Sequence, residues 1–201
     1  MPFANKSIGE VGFAGLCVSE GGTAHVDSCV FDRCGDGGVL SCGNDSLIEI
    51  RNCTVCNMRQ TGIEAREGGS IKAIHNTISS NQLHGFAIGP NEYGYISGNI
   101  IQGNGAEGVW SGGILDQNTA IKMNEEGASK AVLCDNIIRQ NGLSGISLDG
   151  GYFDVKGNII YSNLLWGMMV KSRSYSYILN NDIFENKCGG IRIGINYTAA
   201  V

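Results

Sequence analysis

Six side chains that could bind or act on a ligand recur at matching points of an internal repeat: Glu64, Arg66, Trp110, Asp149, Lys171 and Arg192. Carboxylates beside cationic groups can hold a polar ligand or transfer protons, and a tryptophan ring offers a flat apolar surface to a sugar or a protein. Asp149 and Lys171 are 22 residues apart, which is one repeat. Their chemistry therefore depends on whether the repeat brings these residues onto one face.

The repeat is marked by a glycine followed by an apolar residue, with asparagine four and nine residues before the glycine in its fullest copies. One such copy is Asn76, Asn81 and Gly85, and another is Asn158, Asn163 and Gly167. The steps between successive marker glycines are 24, 23, 23, 37, 22 and 23 residues, for Gly38, Gly62, Gly85, Gly108, Gly145, Gly167 and Gly190. Gly15 extends the series backwards by 23 residues.

A period of this length is typical of solenoids and propellers. The segments between the glycines alternate apolar and polar residues over short runs and show no helical spacing, and neither a leucine ladder nor a unit of about 40 residues is present. The sequence therefore predicts an all-β, right-handed parallel β-helix of about eight coils of 22–24 residues, with three short strands per coil. We expect asparagines in the left-handed conformation at one corner, glycine at another corner, and an asparagine ladder formed by Asn76, Asn99, Asn136, Asn158 and Asn181.

Alternation along the first strand of each coil predicts two outward rows. One contains Cys17, Leu40, Glu64, Ala87, Trp110, Ser147, Met169 and Arg192, and the other contains Ser19, Cys42, Arg66, Gly89, Gly112, Asp149, Lys171 and Gly194. We call the six residues of the opening paragraph the candidate groove. Asp149 and Lys171 should form an ion pair, for which a surface salt bridge is the simpler interpretation than a catalytic pair. The neighbouring glycines should leave the Trp110 ring accessible, unless it packs under an adjacent segment. His25, His75 and His84 occur at different phases of the repeat, which argues against a joint metal or catalytic role.

The long step of 37 residues predicts an insertion at residues 113–128, between the first and second strands of one coil and next to Trp110. Insertions in solenoids often form binding loops, although a loop without function is the alternative. Residues 1–201 are predicted to form one domain, and because neither end shows a polar cap, we expect a fragment of a longer protein.

Composition restricts the possible partners and the compartment. The net charge of −5, without a Lys/Arg cluster, argues against nucleic acid, and no apolar run is long enough for a membrane span. The eight cysteines can be small residues that fill ladder positions, as the spacing of Cys29 and Cys53 suggests, a metal site at Cys53-Thr54-Val55-Cys56, or disulfides. We favour free thiols, no metal and no cofactor, and without a visible signal peptide we expect a cytoplasmic protein.

Two copies of the repeat carry a family resemblance: Asn158 to Met168 and Asn181 to Ile193. They resemble the N-x-I-x-x-N-x-x-x-G-I-x-I repeat of the pectin-lyase-like superfamily, in particular its carbohydrate-binding and sugar-hydrolase (CASH) repeats. In its cysteine content the chain is similar to the intracellular β-helices of an F-box ubiquitin-ligase subunit and of the SHC-binding spindle protein. That similarity implies protein binding.

The enzyme motifs of the superfamily do not carry over. Neither Pro2 nor Pro90 belongs to an Asp-Pro-His element, and the polygalacturonase strings are incomplete at His84-Gly85 and at Arg192-Ile193-Gly194. No acidic cluster of the pectate-lyase kind lies in one short segment. The sequence thus favours a non-catalytic scaffold for another protein. The alternative is a polysaccharide-binding or polysaccharide-cleaving domain that uses the candidate groove.

Overall fold

The computed structural model describes residues 14–112, 129–171 and 174–194. Their strands form three parallel sheets, each built from one strand of every coil. The first-strand sheet contains β1 Ala14–Val18, β4 Gly37–Cys42, β7 Ile63–Arg66, β10 Phe86–Ile88, β13 Val109–Gly112, β16 Ile146–Asp149, β19 Trp166–Val170 and β22 Gly189–Ile193.

The other two sheets have seven strands each in the described ranges. The second-strand sheet contains β2 Thr23–Asp27, β5 Leu47–Arg51, β8 Ser70–Ile74, β11 Tyr93–Ser97, β14 Ser129–Cys134, β17 Gly151–Lys156 and β20 Ser174–Leu179. The third-strand sheet contains β3 Val30–Asp32, β6 Thr54–Cys56, β9 Thr77–Ser79, β12 Ile100–Gln102, β15 Ile137–Arg139, β18 Ile159–Tyr161 and β21 Asp182–Phe184. The predicted β-helix of short strands, three to a coil, is confirmed, with seven complete coils and an eighth first strand in the described part.

The hydrophobic core runs along the axis between the three sheets. Each strand places one or two apolar side chains inward, and because the coils are stacked in register, these side chains form columns such as Ile78, Ile101, Ile138 and Ile160. All four are fully buried. Burial of such columns along the axis is the main force that holds one coil on the next.

The asparagine ladder is confirmed at the corner between the second and third strands. The Asn76 amide donates to Asn99 Oδ1 at 2.9 Å and to the Ile50 carbonyl at 3.0 Å, and Asn99 Oδ1 also accepts from the backbone N–H of Asn76 at 2.8 Å. The same pattern continues through Asn136, Asn158 and Asn181. A second ladder joins Asn81, Asn104, Asn141, Asn163 and Asn186.

The expected backbone conformation at these corners was wrong. The left-handed residue is the one before the ladder asparagine, for example His75 (φ 56°) or Asp135 (φ 57°). The asparagine itself is placed inward, because its amide has to satisfy the buried backbone groups of the turns on either side. Asparagine is therefore needed for its hydrogen bonds and not for its tolerance of positive φ.

The marker glycines are also required for a different reason than predicted. None of Gly85, Gly108, Gly145, Gly167 and Gly190 has a positive φ. A Cβ atom on Gly85 would lie 2.6 Å from the Gly108 carbonyl oxygen and 2.6 Å from Ile101 Cγ2. The glycine therefore allows neighbouring coils to approach closely at this point.

Cys29 and Cys53 follow the first of the three interpretations. Cys29 and Cys53 occupy the ladder positions of the first two coils, since Cys53 N–H donates to Asn76 Oδ1 at 2.9 Å. All eight cysteines lie in the described ranges and all are free thiols.

The predicted insertion at residues 113–128 lies outside the described residues. In the ranges that the structure describes, the chain forms no helix with the length and hydropathy of a membrane span.

Candidate functional site

The strand register confirms that the residues of the two predicted rows of the first-strand sheet are aligned, although Leu40, Ala87 and Ser147 in these rows are buried. Trp110 lies between Ala87 and Ser147, and Arg192 lies beside Met169. Asp149 aligns with Gly112, and its Oδ2 is 3.7 Å from Lys171 Nζ. Both side chains of this ion pair are partly exposed, so solvent screening leaves it weak. The pair keeps a cation and a carboxylate close together but leaves both able to contact a ligand.

Glu64 and Arg66 pair within their own strand, β7. Arg66 Nε donates to Glu64 Oε1 at 2.6 Å, and its Nη2 donates to Oε2 at 2.8 Å. This two-bond contact raises the pKa of Arg66, against the opposing effect of burial. Ala87 separates Glu64 from Trp110 in the row. These two residues of the candidate groove therefore neutralise each other, two coils away from the tryptophan.

The Trp110 ring is less open than the flanking glycines suggested. It stacks on the imidazole of His84, with ring centroids 5.7 Å apart and planes 22° from parallel. The expectation of an accessible ring is corrected accordingly, because a histidine of the preceding coil lies against it. Trp110 is nevertheless partly exposed at the surface of the sheet.

His84 also contacts a carboxylate. Its Nδ1 is 3.1 Å from Glu107 Oε2, but the contact lacks the geometry of a good hydrogen bond, so it is mainly an attraction of charge when the imidazole is protonated. Burial acts to raise the pKa of Glu107, yet His84 and the more distant Lys171 outweigh burial, and the net pKa is lowered. Glu107 is therefore ionised at neutral pH and orients the imidazole. A histidine held by a carboxylate can accept or donate a proton.

A second ring and cation meet on the same face, further along the axis. The Arg192 guanidinium lies over the Trp166 ring, 5.7 Å from its centroid. The two clusters occupy equivalent positions of the repeat. Trp110 lies two residues after Gly108 and contacts His84, which directly precedes Gly85 of the previous coil. Arg192 lies two residues after Gly190 and contacts Trp166, which directly precedes Gly167 of the previous coil. We call Trp110 with His84 the first aromatic subsite, and Trp166 with Arg192 the second.

The residues directly before the marker glycines form a third row that the sequence did not lead us to expect, and it includes His84, Glu107, the buried Ser144, and Trp166. The alternation of inward and outward side chains was applied only to residues that follow the marker glycine, so the residue before it was not considered. A signal was available: the residue just before the marker glycine is polar or aromatic in five successive coils, from Thr61 to Trp166.

Two buried serines lie between the subsites. Ser144 and Ser147 are each 1% exposed, and their hydroxyls have no hydrogen-bond partner among the described residues. Buried hydroxyls are usually satisfied by protein or water, and at this degree of burial neither serine is open to a ligand on the outer face. The face thus presents aromatic rings, cations and one carboxylate–imidazole pair. No group of three or more potential metal ligands occurs in the described ranges.

The sequence matches the family described as right handed beta helix region over residues 3–113, more than half of the chain. The chain belongs to this family. No curated protein matches it.

Two solved structures are similar in fold to this right-handed beta helix protein. A double mutant of the periplasmic alginate epimerase AlgG superposes with a TM-score of 0.64 at 16% identity, covering 89% of this chain and 40% of that chain. The A-module of the Azotobacter vinelandii mannuronan C-5 epimerase AlgE4 superposes with a TM-score of 0.51 at 15% identity, covering 82% of this chain and 56% of that chain. The chain thus spans about half the length of these structures or less, and at these identities the likeness concerns the fold alone.

Proposed function

We propose that this β-helix binds an acidic polysaccharide along the outer face of its first-strand sheet. The observation that carries the proposal is the presence of two aromatic subsites on that face, each a tryptophan stacked with His84 or Arg192. Tryptophan rings offer the flat apolar surface that a sugar ring needs. Trp110 and Trp166 lie two coils apart, about 10 Å along the axis at the strand spacing, so a ligand that contacts both must be an extended chain.

The cations of the face favour a ligand with carboxylates. Arg192 has an aromatic ring and no carboxylate as its partner among the described residues, which leaves its planar donors available for a bidentate contact. Among the described residues, the ion pair of Lys171 is the long 3.7 Å contact to Asp149. The two similar structures are named as epimerases of alginate and of mannuronan, both acidic polysaccharides. That agreement supports the choice of ligand.

The test is a binding measurement with alginate and with a neutral glucan of similar length, by isothermal calorimetry. We expect binding to alginate and little to the neutral glucan. Trp110→Ala and Trp166→Ala should each weaken alginate binding about tenfold, or about 1.4 kcal/mol, because each removes one stacking surface. Arg192→Gln should reduce the preference for the acidic polymer.

The matched control is Tyr177→Ala. Tyr177 is 71% exposed but lies on the second-strand sheet, so its removal should leave alginate binding unchanged. The proposal is wrong if the unmodified chain does not bind alginate, or if Tyr177→Ala weakens binding as much as the tryptophan variants do.

A second candidate is the non-catalytic protein scaffold that the sequence analysis favoured. It is supported by exposed tyrosines on the second-strand sheet, Tyr93, Tyr175 and Tyr177, at 42%, 53% and 71% exposure. Tyrosine is enriched in protein interfaces. Under this alternative, Tyr177→Ala and not Trp110→Ala would abolish capture of a protein partner. A cytoplasmic location remains a prediction of the same alternative.

A further inference from the structure

Two cysteines lie directly beside each other on adjacent coils, at a corner remote in sequence from the aromatic subsites. Asp27 aligns with Arg51 and Val30 aligns with Thr54, so Cys29 and Cys53 occupy equivalent positions. Thr54 N–H donates to the Cys29 carbonyl at 2.9 Å, which fixes the two turns together.

The two thiols make matching hydrogen bonds to the backbone. Each donates to the carbonyl two residues earlier, Cys29 to Asp27 at 3.2 Å and Cys53 to Arg51 at 2.9 Å. Cys53 Sγ also accepts the Cys29 backbone N–H at 3.3 Å. Equivalent residues of adjacent strands are about 4.8 Å apart, which is within the Cα separation that a disulfide spans. The spacing of the two backbones therefore permits a disulfide between these residues.

No other pair of the eight cysteines shares aligned positions in the register of the described strands. Cys17 aligns with Leu40, and Cys56 aligns with Asp32. Cys42 is next to Arg66, and Cys134 is next to Ser97 and Lys156. The arrangement at Cys29 and Cys53 is thus particular to the first two ladder positions, where cysteine stands in place of asparagine.

We propose that Cys29 and Cys53 are a modification site, which closes to a disulfide by exchange with a small disulfide such as oxidised glutathione and fastens the first coil to the second. The Cys29 thiolate attacks one glutathione sulfur and releases one glutathione thiol. The Cys53 thiol then loses its proton and displaces the second glutathione from Cys29. The protein loses two electrons and two protons, and one glutathione disulfide becomes two thiols.

The order of these steps follows from exposure. Cys29 is exposed and Cys53 is buried, and burial raises the pKa of the Cys53 thiol. Thiolate is the reactive form, so Cys29 reacts first with the small disulfide, and Cys53 acts as the resolving thiol. The exchange does not involve the aromatic face, so the outcome of its test is independent of polysaccharide binding.

The experiment treats the fully reduced chain with oxidised glutathione, blocks the remaining thiols by alkylation, and measures the intact mass. We expect a loss of about two mass units, with six thiols alkylated of the eight in the sequence. Trypsin should then release fragments 7–33 and 52–59 joined. The melting temperature of the bridged chain should be higher than that of the reduced chain. Treatment with dithiothreitol should lower it again to the value of the reduced chain.

Single variants assign the bond. The joined fragments contain Cys17 and Cys56 as well, so Cys17→Ser and Cys56→Ser are matched controls that should still form the bridge. Cys29→Ser, at an exposed position, and Cys53→Ser should both abolish it. Joined fragments in the Cys53→Ser chain, or glutathione that stays attached to Cys29 in the folded protein, would overturn the assignment. If the bridged chain has the same melting temperature as the reduced chain, the disulfide does not stabilise the contact between the first and second coils, and that part of the proposal is wrong.

Discussion

Glu92 is the most deeply buried carboxyl of the described residues, at 4% exposure. It lies in the corner between β10 and β11, where the backbone N–H groups of Gly89, Glu67 and Gly68 contact it and where Glu64 is nearby. Burial raises the pKa of Glu92 to about 8, because the loss of hydration outweighs the three N–H groups. Its Oε2 has no hydrogen-bond partner in the described part of the chain. The carboxyl is therefore mostly protonated at neutral pH.

This pKa predicts that stability falls as pH rises. The folded chain binds the Glu92 proton more tightly than the unfolded chain does, so the contribution is complete below about pH 4.5 and is lost by about pH 8. Glu92→Gln, which mimics the protonated form, should remove this loss, on the order of 3 kcal/mol across the interval. Urea denaturation at a series of pH values measures it. Glu185→Gln, at an exposed corner, is the control, and parallel pH curves for the wild type and Glu92→Gln would contradict the prediction.

At the scale of the strands, the corner that carries the predicted insertion can be compared with the next coil. Gly112 aligns with Asp149 and Ser129 aligns with Gly151. In that next coil the single residue Gly150 joins the two aligned positions. A short connection is therefore sufficient for the chain to pass from the first-strand sheet to the second-strand sheet.

Replacement of residues 113–128 by two glycines should leave the β-helix intact, because the register on both sides is held by neighbouring coils. The circular dichroism spectrum should keep its strand signal, and the melting temperature should change by only a few degrees. A control chain in which two glycines replace the ladder residue Asn136 and the following Ile137 of β15 should unfold at a much lower temperature. If the deletion lowers the melting temperature as much as this control does, the segment is part of the stabilising structure. The hypothesis that it contacts a partner stays a prediction.

The strand register was predictable because a single marker residue per coil determines it. Counting two and four residues from each glycine gave the neighbours of Trp110 and the Asp149–Lys171 pair. The contacts of His84 and Trp166 were not predictable in this way. They depend on the bend at the glycine, which places the preceding residue outward, and on ring rotamers that reach across to the next coil. The close approach of neighbouring coils at the marker glycine was not predictable either, because it depends on the backbone and side chains of the neighbouring coil.

At the scale of the whole molecule, each coil contacts only the coils next to it, so stability should vary along the axis. Inward side chains in the middle of the rod are fully buried, as in Ile71 of β8 and Ile96 of β11. The corresponding inward side chains of β2 and β20, Val26 and Ile178, are only partly buried. The free energy of local opening should therefore be highest in the central coils.

Hydrogen–deuterium exchange followed by mass spectrometry measures this gradient. Amides of β8, β11 and β17 should exchange slowest, and those of β2 and β20 faster, because the inward side chains of β2 and β20 are less completely buried. Oxidation of the Cys29–Cys53 pair provides an internal check, since it should slow exchange in β2 and β3 and leave β20 unchanged. Uniform protection from β2 to β20 would instead mean that the rod opens as one cooperative unit. In that case the coil interfaces do not contribute independently to the free energy of opening, and the prediction is wrong.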